Sequence, residues 1–270
     1  MTVKVIAGPQ IEPISLAEAK LHLRYIGNDL EDNLVISAIQ GAREYVETVL
    51  TQRSFIRQTL EIAAAGWPRK YIGGHLAGRL LRPPIQNVVS ITYRDDEGTV
   101  HTLDPADYIV DTDSEPGLVV PDERWPTTPL YKVNPVRVRY TVGYPTYISR
   151  VDTAAAGFAV TWVSGDKFNE NWPMDKTITI DGATYRIAEV TDDENLVLQS
   201  SPGDQTGVAF TAHDVPQQFC LAMLLLIGHH FDNREAILPM GHNITITPFG
   251  VDAHAMSDRI WISDHNWGTS

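Results

Sequence analysis

The 270-residue chain contains one cysteine, Cys220, so no disulfide can close within it. A cysteine-stapled scaffold is excluded, and Cys220, set in an apolar run, reads as a small buried hydrophobe. No apolar run reaches the roughly 20 residues that a membrane-spanning helix needs, and Met1–Pro9 lacks the long apolar stretch of a signal peptide. A soluble protein made in the cytoplasm, with no membrane partner, is expected. Positive charge is scarce as well: 21 Lys and Arg face 34 Asp and Glu, a net charge of -13. That balance argues against tight, specific binding of nucleic acid through its phosphates, yet it suits a conduit past which DNA slides without sticking.

Motifs of catalysis are missing too. There is no Gly-x-Ser-x-Gly elbow, no His-Glu-x-x-His and no paired-cysteine metal spacing. The glycine-rich stretch Gly73–Arg79 lacks the Gly-Lys-Ser/Thr ending of a phosphate cradle and runs into Arg82-Pro83-Pro84, so it reads as a mobile loop. The strongest chemical grouping is His229, Asp232 and Asn233, which share a helix face at offsets of three and four, with Glu235 and His242 nearby. Such a face can bind a metal, but a polar helix end touching a neighbour accounts for the same residues. No catalytic, cofactor-binding or metal-binding residue is therefore assigned. A metal-dependent hydrolase around His229 stays as an alternative.

What the chain does contain is an ordinary globular composition, 43% hydrophobic and 20% charged, enough for one large or two small domains. The most apolar stretch runs from Phe219 to Ile227, inside a helix expected over Asp214–Ala236, with Asp214 as its cap and Pro216 in its first turn. At Gly228 it turns abruptly polar. Ser15 and Glu18 form a capping box that opens a short helix to about Arg24, burying Leu16, Ala19 and Leu23. A longer helix follows, from about Asn28 to Thr51, with small and apolar positions Leu30, Leu34, Ser37, Ala38, Gly41, Ala42, Tyr45 and Val49 at helical spacing. Core packing is the preferred reading of that stripe, and a seam between subunits is the alternative.

From Ser54 the period shortens to that of strands, with candidates at 55–62, 88–93, 100–103, 108–110, 118–120 and 136–142. Between Tyr147 and His213 five more short strands follow, at 158–163, 176–180, 184–190, 196–198 and 208–210. Asp181-Gly182 and Asp192–Asn195 supply their turns. These suggest a small antiparallel barrel or sandwich. Trp162 and Trp172 within it are candidate ligand contacts if the block is a carbohydrate-binding decoration.

The order of several short motifs resembles the head-tail connector (adaptor) proteins of tailed phages, the gp6-like family. The residues that carry the resemblance are Glu12–Arg24, Ala42–Glu47, Gln52-Arg53, Gln58-Thr59, Leu81–Ile85, Ser90–Asp95, Asp107-Tyr108, Trp125-Pro126, Val142–Tyr144, Val215-Pro216 and Asp232–Glu235. In that family the glycine-tyrosine strand end lies a short loop away from the proline that opens the last helix. Here Gly143-Tyr144 and Pro216 are separated by the whole strand-rich block. The expected fold is thus α+β: a helical adaptor core with a small β-sheet, residues 1–149 and 214–270, carrying an inserted antiparallel β-barrel or sandwich domain over 150–213. Trp162–Asp166 and Asp181–Tyr185 look like small β-modules that decorate phage structural proteins.

The resemblance implies a structural, non-enzymatic virion protein of the neck, made in the host cytoplasm. It would form a ring, a dodecamer, beneath the portal protein, present a surface to a stopper or tail-completion protein, and let double-stranded DNA through its channel. A closed ring needs two different patches per subunit. The subunit-interface candidates are Arg43, Glu44 and Glu47 on the second helix and Arg234 and Glu235 at the end of the last. Phe249, Arg259 and Trp261 are the candidates for portal contact. Another phage structural module, such as a tail-completion or decoration protein, is the alternative.

Overall fold

A computed structural model describes residues 2–25, 31–232, 259 and 267. The chain divides into two compact units, one holding residues 2–10 and 47–144 with Arg259 and Trp267, the other residues 11–46 and 145–232.

The first unit is built of strands β1 (Thr2–Ala7), β2 (Gln58–Ala64), β3 (Tyr71–Ile72), β4 (His75–Leu76), β5 (Gly78–Leu80), β6 (Ile85–Arg94), β7 (Val100–Thr102), β8 (Tyr108–Asp111), β9 (Gly117–Pro121) and β10 (Val136–Val142). Five of them form an antiparallel sheet in the order β1-β2-β10-β6-β7, and three more form a sheet in the order β5-β9-β8. Strict alternation dictates the arrangement. In β10, Val136, Val138, Tyr140 and Val142 are buried while Arg137 and Arg139 are exposed, as period-2 geometry requires of a strand with one face inward. The inward residues of β2, β6 and β10 share one core with Leu80, Tyr108 and Val119 of the smaller sheet, so the sheets form a two-layer sandwich.

The expected mobile loop at Gly73–Arg79 is instead the hairpin β3–β4 leading into β5. Gly73 and Gly74 supply the positive φ of its turn, 59° and 90°. Gly78 is required for another reason: a Cβ there would overlap the indole of Trp267, which is fully buried and donates through Nε1 to the Arg79 carbonyl at 2.8 Å.

The second unit holds α1 (Leu16–His22), α2 (Asp32–Tyr45), β11 (Thr146–Thr153), β12 (Ala159–Gly165), β13 (Thr177–Ile180), β14 (Ala183–Val190), β15 (Asn195–Leu198), β16 (Gln205–His213) and α3 (Gln217–Asp232). Six strands close a barrel in the order β11-β12-β15-β14-β13-β16. Its interior contains Val151, Val160, Phe168, Trp172, Ile178, Ile187, Leu198 and Phe210. The Asp181-Gly182 turn joins β13 to β14 with both residues at positive φ, 47° and 79°, the conformation of a type I′ hairpin. β11 is the strand that the sequence pattern missed. Its Tyr147, Ile148 and Asp152 are all only half-buried, so its alternation is weak.

Two expectations are corrected. A helical adaptor core is not what the chain builds: strand makes up 41% of the structure and helix 22%, with three α-helices among the described residues. The sandwich closes a core that contains no residue of α1, α2 or α3, because its two sheets already cover each other. The long apolar helix packs with the other two helices instead. The stripe assigned to α2 is also displaced. Val35, Ile39, Ala42 and Val46 are buried, while Leu34 is 43% exposed and Gly41 faces open space. Ala42 is inside as expected, but the packing face otherwise lies one residue further round the helix, and Ser37 and Gly41 point outward. Of the three α1 residues expected inside, Ala19 is buried and Leu16 and Leu23 are half-buried. Among the described residues no helix is long and apolar enough to cross a membrane.

Candidate assembly surfaces

The predicted contact residues fall into different settings. Arg43 is almost enclosed, and its Nε donates to Glu12 Oε2 at 2.7 Å. Glu47 is 2% exposed; its Oε1 accepts the Phe55 backbone N–H at 2.6 Å and the Gln58 amide at 3.4 Å. Both therefore brace their own chain. Glu44, with 71% of its side chain exposed, is the outward member of the group. Arg259 is half-buried. Arg234, Glu235, Phe249 and Trp261 lie outside the described residues, as do Asn233 and His242 of the metal grouping.

His229 is half-buried beside His230, with ring centroids 6.1 Å apart. Among the described residues no three His, Cys, Asp or Glu side chains converge to hold a metal. Trp172 is a core residue of the barrel, 6% exposed, and is not presented to a ligand. Trp162 is half-buried with the Lys167 ammonium 3.8 Å from its ring centre.

In the sandwich, the outward face of the five-stranded sheet carries charge in register. Lys4 lies opposite Glu61, Glu61 opposite Arg139, and Arg139 opposite Ser90, which places all of them on one face. Glu61 is buried under two guanidiniums: Arg137 Nη1 donates to Oε1 at 2.6 Å and Arg139 Nη2 to Oε2 at 2.8 Å. Burial pushes the Glu61 carboxyl up, but the hydrogen bonds and charges of Arg139 and Arg137 outweigh it and its pKa is lowered. Both arginines remain about half exposed, 51% and 44%.

The second unit has a polar centre just before α3 whose carboxylate keeps 24% of its side chain exposed, but whose donors Lys176 and Trp172 are more enclosed than the two arginines. Asp214 Oδ1 accepts from Lys176 Nζ at 2.8 Å and from Trp172 Nε1 at 2.9 Å, and its Oδ2 accepts from the Tyr147 hydroxyl at 3.0 Å. The aspartate expected to cap the last helix is thus spent on the barrel, and α3 begins three residues later. Burial raises the Asp214 carboxyl, the Lys176 ammonium and the other donors lower it further, and the net direction is down. Burial and the neighbouring Asp214 push the Tyr147 hydroxyl up to about 12.

His213 next to it has both nitrogens engaged. Nε2 donates to the Pro13 carbonyl at 2.8 Å, leaving Nδ1 to accept from the Val215 N–H at 3.3 Å. Burial and the charge of Lys176 push this imidazole down to about 4. A hollow of about 250 Å³ adjoins, lined in part by Glu18, Lys176, His213 and Cys220. Burial pushes the Cys220 thiol up to about 12, so it is not a ready nucleophile.

No family model matches the chain, and no curated protein matches it. Solved structures do. The fold is shared with chains from a gene transfer agent particle. A chain from the virion of the native particle matches with a TM-score of 0.55 at 14% identity, covering 98% of this chain and 100% of that one. A chain from the neck of the empty particle, computed with C6 symmetry, gives the same values. One from the neck of the native particle, computed with C12 symmetry, has a TM-score of 0.53 at 13% identity, again over 98% and 100%. At such identity the likeness speaks to fold, and it embraces both the sandwich and the barrel unit.

Proposed function

We propose that the chain is a structural protein of the neck of a phage-like particle, an adaptor that forms a ring beneath the portal and joins the capsid to a stopper or tail. The observation that carries this reading is the end-to-end fold likeness to chains of gene transfer agent necks, solved with sixfold and twelvefold symmetry. The net charge of -13 is consistent with it, since an acidic ring repels the DNA that passes through it. So is the outward stripe of α2, where exposed Leu34 and Gly41 flank half-buried Ala38 and the exposed Glu44 side chain follows. Small residues there permit the close approach of a neighbouring copy.

In this reading Glu44 meets the next subunit while Arg43 and Glu47 hold α2 and the turn after it in shape; Arg234 and Glu235 are assigned to the same seam. Phe249, Arg259 and Trp261 are assigned to the portal. The strand block 150–213 is an addition to the adaptor core, and the chain has no catalytic task.

Native mass spectrometry and cryo-EM of the purified chain mixed with the portal of its own particle test the proposal. The expected product is a cyclic oligomer of this chain on the portal. A chain that stays monomeric and never joins the portal would falsify it.

A further inference from the structure

We infer that successive copies of this chain join through opposite charges: the outward face of the five-stranded sheet of one copy docks on the acidic hollow beside β8 and β9 of the next. The inference rests on the reading of the chain as a ring-forming neck protein and names the surfaces that would meet.

The sheet face is cationic on an acidic protein. Lys4 is exposed on β1, Arg137 and Arg139 are half exposed on β10, and Arg94 is exposed at the end of β6 with its guanidinium 5.1 Å from the Tyr131 ring centre. Arg94 pairs with Val100 two positions from the Thr92–Thr102 pair, and Thr92 lies opposite Arg137. The period-2 rule therefore places it on the same face as the other three. Glu61 is the one carboxylate that this face's strands contribute, and two arginines share it. Four cations against one anion leave an excess of three positive charges where the chain as a whole carries -13.

The complementary surface lies in the connections of the smaller sheet. Asp104 and Asp107 sit before β8, and Asp122 and Glu123 follow β9; all four are exposed. The Asp122 N–H donates to the Asp107 carbonyl at 2.9 Å, which holds the two connections together. Asp107, Asp122, Glu123 and Arg124 line a hollow of about 520 Å³ floored by Leu103 and Trp125. Among the described residues these four carboxylates have no ion-pair partner, and Arg124 is the one cation in the group, so the excess is three negative charges.

A closed ring needs a head-to-tail interface in which two different patches of one chain meet. This chain offers two of equal and opposite charge, on different layers of one unit. Charge complementarity of this kind sets register and suppresses wrong partners. Duplex DNA is the competing occupant of a cationic face, but the charge of the rest of the chain repels it, and Glu61 places a carboxylate in the middle of the patch.

The test uses the full chain under the conditions in which the wild type assembles. The double variants Lys4→Glu/Arg94→Glu and Asp122→Lys/Glu123→Lys change exposed side chains and leave Glu61 and its two arginines intact. Thermal melting checks that each still folds. Each alone is expected to assemble about a hundredfold more weakly, because like charges then face each other. Mixed one to one they should recover assembly, since alternation restores opposite charges at every junction.

Variants that assemble like the wild type, or a mixture without rescue, would overturn the inference while leaving the neck reading standing. A wild type that never assembles removes both. A gel-shift assay with a short DNA duplex at low salt separates the competitor: duplex binding by the wild type, lost in Lys4→Glu/Arg94→Glu while assembly persists, makes the face a DNA surface and overturns the inference.

Discussion

Each unit sets a carboxylate among several side-chain donors, and the two do it differently. In the sandwich, Glu61 is gripped by side chains one strand away, and both arginines keep half their surface in water. In the barrel unit, Asp214 gathers Tyr147, Trp172 and Lys176, which come from β11, a loop and the approach to β13. The first arrangement is a local clamp on a sheet that is already paired. The second ties the first and last strands of the barrel, and the chain that leaves it for α3, into one piece. Charge at a wet surface is worth little, whereas enclosed donors left without their acceptor cost much more.

The comparison breaks most directly at Asp214. Asp214→Ala leaves an ammonium, an indole N–H and a phenol without their acceptor, and a loss of about 3 kcal/mol in unfolding free energy is expected from chemical denaturation. A change near zero would mean that water replaces the carboxylate and that the centre is no more enclosed than the clamp.

Next in size is a pH effect on the same unit. The imidazole of His213 titrates near 6.5 when unfolded and at about 4 when folded. Its contribution is therefore complete above pH 6.5 and disappears as pH falls through the window down to about 4, because the unfolded chain takes up a proton that the folded chain refuses. Urea midpoints measured across that window should fall more steeply for the wild type than for His213→Gln. Parallel curves would show that the imidazole is not held neutral.

The smallest effect belongs to the clamp. Glu61→Gln is expected to cost about 1 kcal/mol, and high salt should shrink the difference. Because the Glu61 pKa is lowered, its contribution is present above the ordinary carboxylate range and is lost as pH falls through the folded value. A loss as large and as salt-independent as that of Asp214→Ala would erase the distinction between the units.

Many of the strands were legible, because Val136–Val142 alternates cleanly and Asp181-Gly182 is a turn that few other residues can make. The helical core was not. Phe219–Ile227 is apolar enough to suggest a rod on which everything packs, and nothing in its own residues tells that the two sheets of the sandwich cover each other without it. The face of α2 was misread by one residue except at Ala42, since Leu34, Ala38 and Tyr45 fit a helical period as well as Val35, Ile39 and Val46 do.

Asp214 looked like a helix cap because its sequence neighbours are a proline and a helix, while its donors lie 38 to 67 positions away. Glycine at 143 had a physical reason that only the structure supplies: at φ 104° its backbone runs against the Ile56 carbonyl, where a Cβ has no room. Trp267, flanked by Asn266 and Gly268, gave no local sign that it belongs to a core.

The seat of that tryptophan sets an order of events during synthesis. The closed barrel has every residue of its interior once β16 has emerged from the ribosome, and α3 follows at once. The sandwich begins earlier, at β1, yet the indole that fills the space over Gly78 arrives long after β10. Of the two units, the one that starts first is completed last, and until residue 267 is made the space over Gly78 stands unfilled.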